Sequence, residues 1–567
     1  MVLVYKQLVK QLLHNKIFVS LLLLLTVLTS LSFYFVIFSI DGNMAVLNTL
    51  TTLTENQQLY KNALDANTSL AYTFFISTIV LTSFVFVMFF YRFYRGNKKQ
   101  IGCIKALGFK DSSLRACFVY FVAVLSVIGT VLGLVGGYFL SDVLIHANTN
   151  TYSVTGLVKG VSLMNLFVGL IVSTAMFCLI AFLCYFFIKG KGPGLLMGGN
   201  RSCPGVSFSL KAANCISGMI PTKNKFPLRI ALRKPLSICL ILVAVMSFTV
   251  CIILGRSLNS SSQKIFETQT MGHNYEYDTT YSEYQTTSVS ENMISYLENT
   301  SRVFIGSHEI EQTMTGFYTL NSLYELQDTK ENILSAPKAG TVYINPSLYE
   351  VYGLNIGDRL VTDIAGISLA FTVANIATNA KSANIYVNVN ELSKILNVPI
   401  GAYNGILSTE KINGDVTITK EQRIDILNRL AVSNKISAVI NQSIGGVVGA
   451  ILIFIALYVN FQDNTHDILI LYMMGYQTRR IRQMLIDVYM PIVWTAFFLT
   501  LAPGIGLARL IQKSLSISTN DYMPFGTSIF VVVLVFLGLN IIYLLIQVLF
   551  ELAIKRIITK EAISFTD

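Results

Sequence analysis

Few ionisable groups fall inside the long apolar runs of this chain, and Asp487 and Glu551 sit at the edges of theirs. Carriers driven by protons or ions need carboxylates, histidines or broken helices near the middle of the membrane, and no convincing set is present. The five histidines are scattered without metal-ligand spacing. Cys203 and Cys215 share one loop, but they have neither a partner histidine nor a CxxC pair, so no metal site is assigned. HExxH, GxSxG and GxxxxGK[ST] do not occur, so no catalytic residue is assigned and the chain has no ATP-hydrolysing domain of its own. What remains is the chemistry of docking.

That chemistry resides in a segment present twice. Lys98–Arg115 reads KKQIGCIKALGFKDSSLR and Thr465–Arg482 reads THDILILYMMGYQTRRIR. Aligned on Gly108 and Gly475, both place apolar residues at helical spacing, then a glycine stop, then a short polar stretch ending in Arg115 or Arg482. Ile101, Ile104 and Leu107 form an expected apolar ridge beside Lys105, and Ile468, Leu471 and Met474 match them in the second copy. A glycine relieves the left-handed cap, so Gly108 and Gly475 are expected to end the two helices.

Each copy lies between two apolar runs. The chain is 53% hydrophobic and 13% charged, with mean hydropathy +0.58, a balance rare in a soluble protein of 567 residues. A helix needs about 20 apolar residues to cross roughly 30 Å of hydrocarbon. Eight runs qualify: Ile17–Ile37, Leu70–Phe90, Cys117–Leu140, Leu166–Phe187, Leu236–Leu254, Ile444–Phe461, Leu485–Leu507 and Ile529–Leu549. The first is too long, and lacks the small-residue site, for a cleaved signal peptide.

Charge sets the orientation. With a cytoplasmic N-terminus, segments 1–16, 91–115, 188–234, 462–483 and 551–567 face inward and carry 25 Lys and Arg, whereas the small outer loops hold Lys61, Lys159, Arg509 and Lys513. This asymmetry obeys the positive-inside rule and puts both termini in the cytoplasm. The insert 256–435 has 13 basic against 19 acidic residues, in keeping with a place outside. The net charge of +11 is therefore a topology signal spread over five short loops, and no nucleic-acid surface is expected.

The expected fold is a polytopic α-helical membrane protein with eight transmembrane helices in two four-helix repeats and an α+β extracytoplasmic domain between helices 5 and 6. The first repeat covers 1–187, a Gly- and Pro-rich cytoplasmic linker 188–226, an interfacial stretch and the fifth span 227–255, the outer domain with its stalk 256–435, and the last three spans 436–567. Each half opens on a basic amphipathic stretch, 3–16 and 227–235, which is either an interfacial helix on membrane lipid or the charged flank of a span. In the outer domain NYEYDTTYSEY and GISLAFTVANIA read as strands, a short helix starts near Pro346, and Gly357–Asp358 makes a turn. Tyr275, Tyr277, Tyr281 and Tyr284 are strand residues that would also suit amphipathic ligands, and no substrate site is assigned. Gly129, Gly133 and Gly137 in the third span, and Gly445 and Gly449 in the sixth, recur every fourth residue and are expected to let helices approach closely.

At IGCIKALG (101–108), more loosely at ILILYMMG (468–475), and at TVYINPSLYEVYGLNIGDRL (341–360), the chain resembles the FtsX-like permease family, the MacB-type or mechanotransmission class of ABC transporter permeases. The resemblance covers most of the chain. It implies that each repeat is one permease half and that the paired segments are coupling helices on two copies of an ABC-type ATPase. ATP and Mg would be bound there, with no cofactor in this chain. The layout is nearest to the peptide-antibiotic resistance permeases of Gram-positive bacteria, which typically have ten spans where this chain has eight. Low Trp with abundant Ile, Asn and Lys also suits such a source. The implied function is ATP-driven export or extraction of an amphipathic peptide or lipid-linked molecule. Two other readings stand beside it: a regulatory protein acting on an extracellular partner or sensor kinase, and an ion-coupled carrier.

Overall fold

A computed structural model describes residues 10–197 and 235–564, apart from residues 11, 14, 15, 51, 153, 155, 291, 307, 382, 464, 486, 520 and 521. Most of the amphipathic stretch 3–16, residues 227–234, most of the linker, and Cys203 and Cys215 lie outside the described residues. The chain forms two compact units. One comprises Met1–Arg256, Val439–Arg509 and Thr527–Asp567; the other comprises Ser257–Ala438 and Leu510–Gly526.

The first unit begins with α1 (Lys16–Thr49), α2 (Glu55–Gly96), the short α3 (Lys98–Ala106), α4 (Asp111–Tyr152) and α5 (Leu163–Cys184). A 3-10 turn, Tyr185–Phe187, and the one-turn α6 (Pro193–Met197) follow. Thr54 and Gln57 cap α2 reciprocally. The helices run well past the apolar runs, because helical hydrogen bonding does not stop where side chains turn polar. The glycine stripe of α4 faces α1: a Cβ at Gly133 would lie 2.7 Å from Ser30 Cβ, and one at Gly137 2.8 Å from Tyr34 Cβ. At Gly129 it would overlap Thr26. Close approach brings hydroxyls together: Thr29 with Thr82 at 3.0 Å, Ser30 with Thr130 at 3.2 Å, Thr130 with Ser173 at 3.3 Å. In hydrocarbon such bonds between helices have no water to compete with them.

The second unit is mixed α and β. It includes the end of α7 (Pro235–Thr270) and the strands β1 (Tyr277–Gln285), β2 (Ile294–Ile305), β3 (His308–Phe317), β4 (Leu326–Gln327), β5 (Ile333–Leu334) and β6 (Thr341–Ile344). After α8 (Pro346–Glu350) come β7 (Arg359–Ile364), β8 (Ile367–Ile376), β9 (Asn384–Val387), α9 (Val389–Ile395), β10 (Tyr403–Ser408), β11 (Val416–Thr419) and the start of α10 (Lys420–Asp463). The main sheet runs β11-β1-β10-β2-β3-β9-β6-β8-β7, and β2 also pairs with β7, so six of its strands close on themselves. Strand alternation sorts the residues: Leu297 and Val303 of β2, Met314 of β3 and Ile385 of β9 fill the aliphatic core inside this ring. Tyr296, Phe317 and Tyr386 on the opposite faces join Tyr275 and Tyr324 in an aromatic cluster. Tyr275, read from sequence as a residue that would suit a ligand, is core.

Beyond α10 the chain makes α11 (Thr465–Met473), α12 (Thr478–Leu485), α13 (Tyr489–Thr519) and α14 (Ile529–Ser564). Here the glycines bring α10 to α7: a Cβ at Gly445 would lie 2.9 Å from Cys251 Cβ, and one at Gly449 3.0 Å from Phe248 Cβ. Among the described residues seven helices are long and apolar enough to cross a membrane. The expected sixth span, Ile444–Phe461, lies in α10, whose described apolar stretch is Gln442–Tyr458. The expected seventh span, Leu485–Leu507, lies within the long apolar helical segment Thr478–Ile517, to which α12 and α13 belong. Sequence also assigned Leu510–Gly526 to the second repeat, but it groups with the mixed domain. Tyr522 OH donates to Glu350 at 2.9 Å, and the Gly526 amide donates to Ser257 Oγ at 3.0 Å.

Candidate functional site

The two copies of the repeated segment fold alike. α3 and α11 are each nine residues long, and both end two residues before a glycine in the left-handed region, Gly108 at φ +87° and Gly475 at φ +85°. An added Cβ would meet nothing at either glycine, so the requirement is backbone conformation rather than space. The Gly475 amide donates to the Tyr472 carbonyl at 2.9 Å and the Tyr476 amide to the Leu471 carbonyl at 3.1 Å, which satisfies the orphan carbonyls of α11. The Gly108 amide likewise donates to the Lys105 carbonyl at 3.0 Å. The next helix then starts three residues on, at Asp111 in one copy and Thr478 in the other.

Burial divides the expected ridges. Ile101 and Ile468 are 0% exposed and hold their helices against their own bundle, while Leu107 is 74% and Met474 66% exposed. Ile104 and Leu471 are half-buried between them. The reason is geometric. A step of three residues falls about 60° short of a full helical turn, so two steps carry the third residue about 120° away from the first. The face that both copies present to solvent is Cys103 and Ala106 of α3 with Leu107 and Gly108 just past it, and Ile470 and Met473 of α11 with Met474 and Gly475 just past it. Sequence reasoning missed Cys103, Ala106, Ile470 and Met473, although a window anchored on the glycine rather than on the isoleucine would have found them.

Lys105, expected beside the ridge, stands apart from that face. Its side chain is 8% exposed and turns away from the presented face. It pairs with Asp111 at 2.6 Å and donates to the carbonyls of Ile188 at 3.2 Å and Lys191 at 3.4 Å. Asp111 in turn accepts from Tyr185 OH at 2.5 Å. On its other side α3 touches α6, where a Cβ at Gly102 would lie 2.9 Å from Leu196 Cβ. In the second copy the corresponding residue is Tyr472, which is exposed. There Arg482 of α12 pairs with Glu551 of α14 and lies 3.7 Å from Asp487, which also accepts from Gln547 at 2.6 Å. Asp487, between α12 and α13, and Glu551, inside α14, are thus both engaged with Arg482.

Two four-helix arrangements, each carrying the same helix–glycine–helix insertion, now stand beside a comparison of sequence. The model of the FtsX-like permease C-terminal domain matches twice, over residues 72–191 and 443–560. The chain belongs to the FtsX-like permease family. Each matched region contains one of the presented faces, α3 in the first and α11 in the second. No curated protein matches the permease. Permeases of this family generally work with ABC-type ATPase partners.

Proposed function

We propose that this permease is the membrane subunit of a MacB-type ABC transporter, in which two copies of an ATPase dock on α3 and α11. ATP and Mg are bound by the partner, and the permease turns ATPase closure into movement of its helices and of the mixed domain. The work is export or extraction of an amphipathic peptide, including an antimicrobial peptide, or of a lipid-linked molecule. The termini are cytoplasmic, the mixed domain is outside, and the source is a Gram-positive bacterium.

The observation that carries this reading is the recurrence of an exposed, mostly apolar patch at the same four positions of both repeats, each ending on a left-handed glycine. A solvated loop has no need of methionine and leucine side chains presented in register at two places 367 residues apart in sequence. The test is co-purification with the ATPase expressed beside the permease, reading subunit ratio and ATP hydrolysis. Two ATPases per chain are expected, with one lost in each of Leu107→Asp and Met474→Asp. Undiminished binding by both variants would remove the docking assignment.

A sensory reading draws on Arg423 and Lys420 at the start of α10, which bond to the carbonyls of His273 and Glu276 just past the end of α7, since the same movement would serve an extracellular partner or a sensor kinase. Partner activation without net movement of an added amphipathic peptide would favour it.

A further inference from the structure

Building on the transporter reading, we infer that Lys105 is a positioning residue that wires the first docking helix into the bundle, and that the two docking helices are wired differently. One ammonium group joins three elements. It leaves α3, bonds the carboxylate of Asp111 at the first residue of α4, and caps the carbonyls of Ile188 and Lys191 just beyond α5 and its 3-10 turn. Carbonyls past a helix end carry partial negative charge, so a cation there is favoured. Tyr185 closes the network from the α5 side, with its hydroxyl on Asp111 and its ring 6.0 Å from the Lys105 ammonium. The Lys105 ammonium is withdrawn from water although Asp111 is 40% exposed, and a charge-assisted network around a buried ammonium resists separation more than a fully exposed pair does. Rocking of α3 therefore draws the ends of α4 and α5 with it.

The second half carries its clamp one helix later. Arg482 lies on α12, after the glycine, and joins it to α14 through Glu551. The residue equivalent to Lys105 is the exposed Tyr472. Among the described residues no ion pair ties α11 as Lys105 ties α3, and the Arg482 clamp lies beyond the left-handed turn at Gly475, whereas Lys105 bonds directly to Asp111 of α4 and to the carbonyls just past α5.

The experiment uses the full permease–ATPase complex in lipid nanodiscs. Spin labels at the exposed positions Ile171 of α5 and Leu544 of α14 report the distance change on adding ATP and Mg. Lys105→Met should leave ATPase affinity within about twofold of the parent while the labels' ATP-driven shift falls by about tenfold in population, the scale of one lost charge-assisted bond. Lys105→Arg, which keeps donors for both the carboxylate and the carbonyls, should restore the shift. Asp111→Asn provides the same test with the shape of the site preserved, and should also lose the shift. A full shift in Lys105→Met or in Asp111→Asn overturns the clamp. So does a tenfold loss of ATPase affinity in Lys105→Met, which would make Lys105 a docking contact. If the parent permease binds no ATPase, the transporter reading itself falls, and the clamp's role falls with it.

Discussion

Gly108 and Gly475 show how one backbone angle decides a docking face. Their φ values lie where a side chain meets its own carbonyl, and a β-branched residue there costs roughly 1–2 kcal/mol. That is less than the stability of a folded bundle but comparable to the hold of a helix end. Gly108→Val and Gly475→Val are therefore expected to leave membrane insertion intact, to fray the last turn that presents Leu107 or Met474, and to uncouple ATP hydrolysis from movement. Expression, melting in detergent and permease-stimulated ATP hydrolysis check this together; normal coupled activity in both variants would count against the assignment. At Gly133 the constraint is the opposite one, space rather than angle, since Val27 and Ser30 occupy the place a Cβ would take.

Among elements, the decisive one is the joint between the stalk helices and the sheet. α7 ends at Thr270, and Gly272 at φ +73° turns the chain so closely that a Cβ would lie 2.5 Å from the Glu325 carbonyl. Asn379, fully buried, donates to the carbonyls of Met271 at 2.9 Å and Glu325 at 2.6 Å and accepts from the Gln327 amide at 2.8 Å. Arg423 of α10 lies 3.9 Å over the Tyr275 ring and donates to the His273 carbonyl at 3.2 Å, while the Lys420 amide donates to the Glu276 carbonyl at 2.8 Å. The start of α10 is thus fastened to His273, Tyr275 and Glu276, just past the end of α7. Arg423→Ala should lose about 0.5–2 kcal/mol of cation–π attraction and one hydrogen bond. Hydrogen exchange is expected to quicken at residues 271–276 and 419–424 and to stay slow in the closed ring of strands. Unchanged exchange at the joint would mean that Arg423 does not hold it.

For the molecule as a whole, the joint makes stability depend on pH. His273 is buried, its Nε2 donates to the Asn379 carbonyl at 2.8 Å, and its Nδ1 has no partner. Burial pushes its pKa down from 6.5 to about 3; the Asn379 bond, the next largest influence, pulls it up, the nearby charges of Lys381 and Arg423 push it down, and Asp278 pulls it up least. Between those two values the unfolded chain holds a proton that the folded one does not. Stability is therefore complete above pH 6.5 and is lost as pH falls towards 3, at up to about 1.4 kcal/mol per unit. The mixed domain of the full-length permease should open more readily to hydrogen exchange at pH 5 than at pH 7.5. His273→Gln should flatten that dependence; an equal pH response in the variant would place its origin elsewhere.

The sequence by itself determined the membrane class, the repeat, the places of the short helices and their glycine stops, and the mixed character of the insert. These rest on run length, local periodicity and backbone preference, which a chain carries within a few turns of itself. Tertiary structure alone decided which face of α3 looks outward, since Ile101 and Leu107 differ only in how far the helix has rotated between them. It turned Lys105 inward onto the Ile188 carbonyl, 83 residues away. It also closed the ring by pairing β2 with β7 and drew Leu510–Gly526 into the mixed domain. Each of these is a contact between segments far apart in the chain, chosen by packing and hydrogen-bond satisfaction that no local pattern encodes.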